Sequence, residues 1–345
     1  MSTPTSTSDQ EVSFTDAMIV KALSSHTYEA HFPEDWCIGS VPHGGYITSV
    51  FQRVANTHFN TTLKAQNQPH TIALHLDFLR RTEKGPALFT VKDTKLGRQT
   101  SVIHLTLTQS SREEVHCTLT QSNMSLESGI SIPTNYTLRP PPPPAPTSFP
   151  LLSQNRDPNW ANAGEMPHAE FRKATRKTEF YLPRPALQEE KKGGGGQEVE
   201  REKEKGYTDQ WMRLKSGEKW TDEMLGYVVD MFMMPVEKYI RLSLLAPSPS
   251  STASTSPAKS KPTAKFWYPT VLLNLDIKKP LPSGGAEWLF TRTSAKVVKN
   301  GRMDLEVVVL DQGGEVVALS HHVALAVPAE RNLGVRGGGG KESKM

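Results

Sequence analysis

The sequence is poor in the features that define several large classes of protein. Only two cysteines, Cys37 and Cys117, occur among 345 residues. Two thiols cannot build a disulfide framework or a four-thiolate zinc site, so the chain reads as one from a reducing compartment, with both cysteines as small buried side chains. Long apolar runs are missing as well. The longest spans residues 224–236, contains an acid, and falls short of the roughly twenty residues that a membrane span requires. Charge of one sign is not in excess: 40 Lys and Arg against 36 Asp and Glu leave a formal +4, without the clustered basic surplus of a nucleic-acid binder. The first ten residues are rich in Ser and Thr, with neither a basic nor an apolar stretch, so no secretory signal is expected.

Several catalytic signatures are absent too. There is no Gly-x-Ser-x-Gly nucleophile elbow, no Walker A motif, no Gly-x-Gly-x-x-Gly after a strand and no His-Glu-x-x-His. His321 and His322 are adjacent, but neighbours on a strand point to opposite faces and cannot chelate one ion. Neither a metal nor a cofactor is expected.

Polar and proline-rich stretches divide what is present. Residues 139–146 read RPPPPPAP, a polyproline spacer. Residues 189–206 and 246–265 are low-complexity insertions, too polar to offset the entropy of ordering them. The expected organisation is a disordered N-terminus over 1–12, a first unit over 13–135, a Pro-rich linker over 136–160, a second unit with the two insertions over 161–330, and a flexible tail over 331–345. The 36% hydrophobic content is therefore a diluted figure.

The two units repeat one another. Gly45-Tyr46-Ile47-Thr48-Ser49-Val50-Phe51 lies over Gly226-Tyr227-Val228-Val229-Asp230-Met231-Phe232, Leu76-Asp77-Phe78 over Leu275-Asp276-Ile277, and Gly97-Arg98 over Gly301-Arg302. The second copy is 18 residues longer between its glycine and its aspartate, which the insertion at 246–265 accounts for. Order and spacing together argue for duplication. Each copy reads as a long helix followed by strands, the first helix with Tyr46, Ile47, Val50, Phe51, Val54 and Ala55 at helical spacing. Strands are expected at 71–79, 87–96, 101–109 and 114–122, then at 270–277, 287–298, 303–310 and 315–327. An antiparallel sheet around each helix is an α+β unit, and two units can join their sheets side by side.

Asp230 is the residue that this pattern does not require. It falls in the middle of an apolar helical stretch where the first copy has Ser49. A carboxylate there is costly unless paired, and burial raises its pKa, as suits a general base.

The run Leu225 to Asp230 closing on Met234-Pro235-Val236, the strand beginning at Thr270, the pair Glu287-Trp288 and Gly313-Gly314-Glu315-Val316-Val317-Ala318 resemble the second half of bacterial thioesterase II. In the first half, Trp36, Pro42-His43-Gly44-Gly45-Tyr46, the strand over 70–81 and Lys95-Leu96-Gly97-Arg98 agree. The resemblance to this family of double-hotdog acyl-CoA thioesterases spans about residues 14–327 apart from the insertions. It implies an α+β double hotdog that hydrolyses acyl-CoA to acid and CoA with water, and no cofactor. The resemblance places Asp230 on the family's catalytic Asp, Thr270 on its Thr, and His322 where the family has Gln. His43, Gly44, Gly45, Gly226 and Tyr227 are the expected substrate-binding residues, with helix-end amides polarising the carbonyl. Arg80, Arg81, Lys278 and Lys279 are candidates for the phosphates of CoA. Two other readings stay open: a non-catalytic hotdog protein that binds acyl chains or partners, and an acyl-CoA hydratase or dehydratase. The terminal Ser343-Lys344-Met345 is close to the Ser-Lys-Leu address, so the expected location is the peroxisome or the cytoplasm. Exposed sheet edges leave room for a homo-oligomer.

Overall fold

The computed structural model describes residues 11–184, 206–237 and 264–334. The insertions at 189–206 and 246–265, apart from Gly206, Ala264 and Lys265, lie outside the described residues, as do Met1 to Gln10 and the terminal Ser343-Lys344-Met345. The apolar spacing after Gly44 gives helix α1, Gly44–Asn60, which buries twelve of its residues. So deep a helix cannot lie on a surface. It is wrapped by strands β1 Val20–Ala22, β2 Thr27–Phe32, β3 His70–Phe78, β4 Gly85–Lys95, β5 Ser101–Gln109 and β6 Arg112–Ser122. Alternation along β5 buries Ile103, Leu105 and Leu107 against it.

The second half supplies β7 Trp160–Asn162, β8 Thr178–Pro183, β9 Tyr207–Leu214, helix α2 Leu225–Val228, β10 Thr270–Ile277, β11 Leu289–Ser294, β12 Arg302–Leu310 and β13 Val316–Leu325. All join one antiparallel sheet, in the order β1-β2-β4-β5-β6-β3-β10-β13-β12-β11-β9-β8-β7. The architecture is a double hotdog of α+β class. The halves meet where β3 pairs with β10, Leu76 opposite Leu273 and Leu74 opposite Leu275. His75 and Asn274, equivalent positions of the repeat, therefore face each other on the pseudo-two-fold axis, and His75 Nδ1 is 2.7 Å from Asn274 Oδ1. No described helix is long and apolar enough to cross a membrane.

Two features depart from the sequence reading. The second helix is not long: α2 ends at Val228, a tighter turn from Asp230 N–H to Tyr227 C=O closes it, and Met231 to Met234 are not helical. Pro235 explains this, because its ring cannot donate to a preceding carbonyl and turns the residue before it away from the helical region. The Pro-rich segment is also not a free spacer. The Pro140 C=O accepts from Arg292 and the Pro144 C=O from Trp160 Nε1. Leu138 and Leu152 enter a second apolar cluster with Trp160, Trp211, Trp288 and Phe290. These aromatics are scattered along the sequence, but strand alternation collects them on one face of the sheet.

Candidate active site

Glycine allows the two helices to meet at their N-terminal ends. A Cβ on Gly45 would stand 2.6 Å from Asp230 Cβ and 2.7 Å from the Gly226 carbonyl oxygen, and one on Gly226 would stand 2.7 Å from Thr48 Cγ2 and 2.9 Å from Ser49 N. Each helix end is capped by the other helix. The Gly45 N–H donates to Asp230 Oδ2 at 2.6 Å, while the Gly226 and Tyr227 N–H groups donate to Gln52 Oε1 and Ser49 Oγ at 3.0 Å each. Ser49 is the repeat's counterpart of Asp230, so the two caps are pseudo-symmetric. An anion is favoured at such an end by the unpaired N–H groups and the helix dipole.

Three further groups converge on Asp230. Thr270 opens β10 at a shift of register that re-aims the strand, and its Oγ1 donates to Asp230 Oδ1 at 3.3 Å. His43 caps α1 by accepting from the Tyr46 N–H at 3.4 Å, and its Nδ1 lies 3.7 Å from Asp230 Oδ2. His322 in β13 is fully buried, with Nδ1 3.4 Å from Asp230 Oδ1 but without a hydrogen bond to it. The sequence reading of a raised Asp230 pKa is corrected here. Burial pushes the carboxyl up, but the imidazoles of His43 and His322 and the Gly45 N–H together outweigh it and hold it below its ordinary value. Burial pulls His43 down despite the attraction of Asp230.

Ser320 fixes the proton on His322. Its hydroxyl donates to the Asn274 C=O at 2.5 Å and stands 2.8 Å from His322 Nε2. With its only hydrogen committed, Ser320 Oγ must accept from Nε2–H. Neutral His322 therefore turns a bare Nδ1 toward Asp230, and the ring lowers the carboxyl only once Nδ1 carries a proton. Two acceptors facing at that distance hold a proton or share a water. In the first copy the equivalent three positions are Ser49, Thr71 and Leu119. Ser49 is already used as a cap and leucine cannot carry a proton, so only one of the two symmetric sites has this chemistry.

Asp230, Thr270, His43 and Gly44 line a cavity of about 420 Å³. Phe78, Met231, Phe232 and Leu305 make part of its wall apolar, and Arg80, Arg81 and Arg331 add charge. Arg80 is held by the Glu113 C=O, and Arg81 by the carbonyls of Arg331, Asn332 and Gly334. Gly226 and Tyr227 do not line the cavity. Their N–H groups are engaged in the helix contact, as is that of Gly45, which does not line the cavity either. Lys278 and Lys279 are likewise elsewhere, paired with Asp276 and with Asp311 and Glu315.

The sequence reading missed Ser320 and Gln210. Gln210, fully buried in β9, donates to the Met231 C=O and accepts from the Met233 N–H at 2.9 and 3.3 Å. It satisfies the backbone groups that the broken helix leaves open and so fixes the turn carrying Asp230. No spacing in the sequence links Gln210 to that turn.

The architecture is that of the hotdog-fold proteins, and the sequence narrows it to the thioesterases among them. The halves match the models of the acyl-CoA thioesterase N-terminal domain over residues 32–122 and C-terminal domain over residues 140–326. The chain belongs to this acyl-CoA thioesterase family, and its class of activity is thioester hydrolysis. It is 35% identical over 355 residues to the thioesterase-like protein TwmA of Talaromyces wortmannii, covering 96% of each. Among solved structures, its fold is similar to a candidate thioesterase II from Thermobifida fusca, with a TM-score of 0.64 at 18% identity over 91% of this chain and 97% of that one. It is also similar to the acyl-CoA thioesterase II TesB2 of Mycobacterium marinum, with a TM-score of 0.55 at 15% identity over 92% and 100%.

Proposed function

We propose that this chain hydrolyses an acyl-CoA thioester with water activated at Asp230. The observation that carries the reading is a buried carboxylate with a lowered pKa, beside a partly apolar cavity and 3.4 Å from His322 Nδ1. Asp230 orients a water in the cavity while the Thr270 hydroxyl holds Oδ1. As the water oxygen attacks the thioester carbon, its proton passes to the Asp230–His322 pair and rests on Nδ1, where the imidazolium and the carboxylate compensate each other. This resolves how a carboxyl with a lowered pKa serves as a base: the pair takes the proton together. The developing oxyanion meets the end of α1, where the Gly44 N–H has no acceptor within the helix. The C–S bond then breaks and the pair returns its proton to the sulfur. The acyl chain lies along Phe78, Met231 and Phe232, and the phosphates of CoA lie toward Arg80, Arg81 and Arg331.

Release of free thiol from acyl-CoAs of graded chain length tests the reading. Turnover of at least one of them is expected. Binding without turnover across the whole series would favour a non-catalytic acyl-binding protein. The reading extends to location, with Ser343-Lys344-Met345 as a peroxisomal address. A reporter carrying the last ten residues is expected to become punctate and to revert to diffuse without Met345; diffuse signal in both would contradict the address.

A further inference from the structure

Among the described residues, one group of side chains has the make-up of a metal site, and it lies far from Asp230. His26 sits between β1 and β2, His58 in the last turn of α1, and Asp93 in β4. In sequence they are 32 and 35 residues apart, a spacing that matches no ligand motif. In the fold, His26 Nε2 is 3.1 Å from Asp93 Oδ2, and His58 Nε2 is 3.0 Å from Asp93 Oδ1. All the ligand atoms fall within 4.8 Å of one another. Ligands about 2.0–2.2 Å from a tetrahedral zinc stand roughly 3.3 Å apart, so closing three of them on one ion draws the widest pair inward by up to about 1.5 Å, within the reach of side-chain rotation.

The surrounding groups suit a metal-bound imidazole. Ligating histidines generally give the other ring nitrogen to a fixed partner, which sets tautomer and orientation. Both do so here: His58 Nδ1 is 2.9 Å from Tyr28 Oη, and His26 Nδ1 is 2.9 Å from Ser25 Oγ. The Tyr28 hydroxyl also has the Ser25 C=O at 3.2 Å. With Nε2 protonated on His58, Tyr28 donates to Nδ1. With a metal on Nε2, Nδ1–H donates to Tyr28 and the hydroxyl turns its hydrogen to Ser25. The network is satisfied in either state, so loading an ion leaves no buried polar group stranded. A cation also suits this end of α1, whose last carbonyls carry the negative pole of the helix.

We propose that His26, His58 and Asp93 bind a divalent borderline ion, zinc in preference, with a fourth position open to solvent. Burial supports the open position: the side chain of His58 is fully buried, whereas those of His26 and Asp93 are 41% and 22% exposed. Fourteen residues separate Gly44 from His58, which is about 21 Å along a helix. At that distance the ion takes no part in chemistry at Asp230. Its role is a clamp that ties the β1–β2 loop and β4 to the end of the helix.

The test uses the tag-free full chain, stripped with a chelator and titrated with Co²⁺ and then Zn²⁺, following the visible spectrum, bound metal and the melting temperature. Expected are one equivalent per chain, the absorption of four-coordinate Co²⁺, its displacement by Zn²⁺, and a higher melting temperature. His26→Ala and Asp93→Asn should each weaken binding at least tenfold. His116→Ala, on a surface histidine paired with Glu113, should bind as wild type does. His26 is partly exposed in a loop, so its loss leaves the fold intact, which circular dichroism verifies. Absence of a stoichiometric ion in the wild type, or undiminished binding in both His26→Ala and Asp93→Asn, would overturn the proposal.

Discussion

Gly45→Ala probes the contact that brings the halves of the site together. The new methyl would meet Asp230 Cβ at 2.6 Å, the Gly226 carbonyl oxygen at 2.7 Å and Tyr227 Cα at 2.9 Å. Two of these three atoms are backbone, so the strain cannot be relieved by rotating a side chain. Overpacking of this kind costs about 1–3 kcal/mol, and losing the Gly45 N–H bond to the charged Asp230 as the helices separate costs about 1.5–3 kcal/mol more. A combined loss of about 2.5–6 kcal/mol is a large share of the roughly 5–15 kcal/mol of a typical domain. Gly44→Ala is the matched control. Its methyl would meet the ends of side chains, Asp230 Oδ2 at 2.9 Å and Phe78 Cζ at 3.6 Å, with no backbone atom in the way. It should cost less than Gly45→Ala, about 1–2 kcal/mol, as Oδ2 shifts against its bond from the Gly45 N–H. Urea unfolding with the slope held in view separates the variants. Thiol release should fall in Gly45→Ala together with stability, because Asp230 is displaced. A Gly45→Ala midpoint within about 0.5 kcal/mol of wild type, the ordinary range for a neutral substitution, would refute the close-contact argument.

Two further predictions concern protons. Ser320→Ala removes the acceptor of His322 Nε2–H, frees the imidazole to change tautomer, and should lower kcat by about a hundredfold or more, the size of a general-base contribution; thiol release at wild-type rate would show that the tautomer is not fixed by Ser320. His43 is held below its ordinary 6.5 by burial, so below that value the unfolded chain binds a proton that the folded chain refuses. Stability should decline as pH falls from the ordinary histidine value through the lowered one, and the lowered Asp230 should add a second decline below its ordinary 3.8. Thermal melts should show the first decline flattened in His43→Gln, and an unchanged slope would contradict the assignment.

The architecture was legible because duplication left parallel marks in both halves. Asp77 and Asp276 are equivalent in the repeat, and the same offset relates His75 to Asn274, which indeed lie opposite one another across the join. Asp230 and Thr270 could be found because the family pattern is local around each. The break in the second helix was also written in the sequence, at Pro235, but the apolar periodicity through Met231 to Met234 outweighed it. The direction of the Asp230 pKa was not legible at all. It depends on His43, His322 and the Gly45 N–H, which approach from three other parts of the chain. Gln210 and Ser320 were hidden for the same reason, since each acts through a neighbour that only the folded sheet supplies.

Asp230→Asn in the free-thiol assay tests the central claim most directly. Asparagine keeps its one oxygen for the Gly45 N–H and turns its NH2 to the Thr270 hydroxyl, which can accept in place of donating, so the helix contact survives while the proton-accepting charge is lost. The account predicts a wild-type unfolding midpoint to within a modest shift and a kcat lower by about a hundredfold to ten-thousandfold, the range of a general base. Thiol release by Asp230→Asn at the wild-type rate would contradict it.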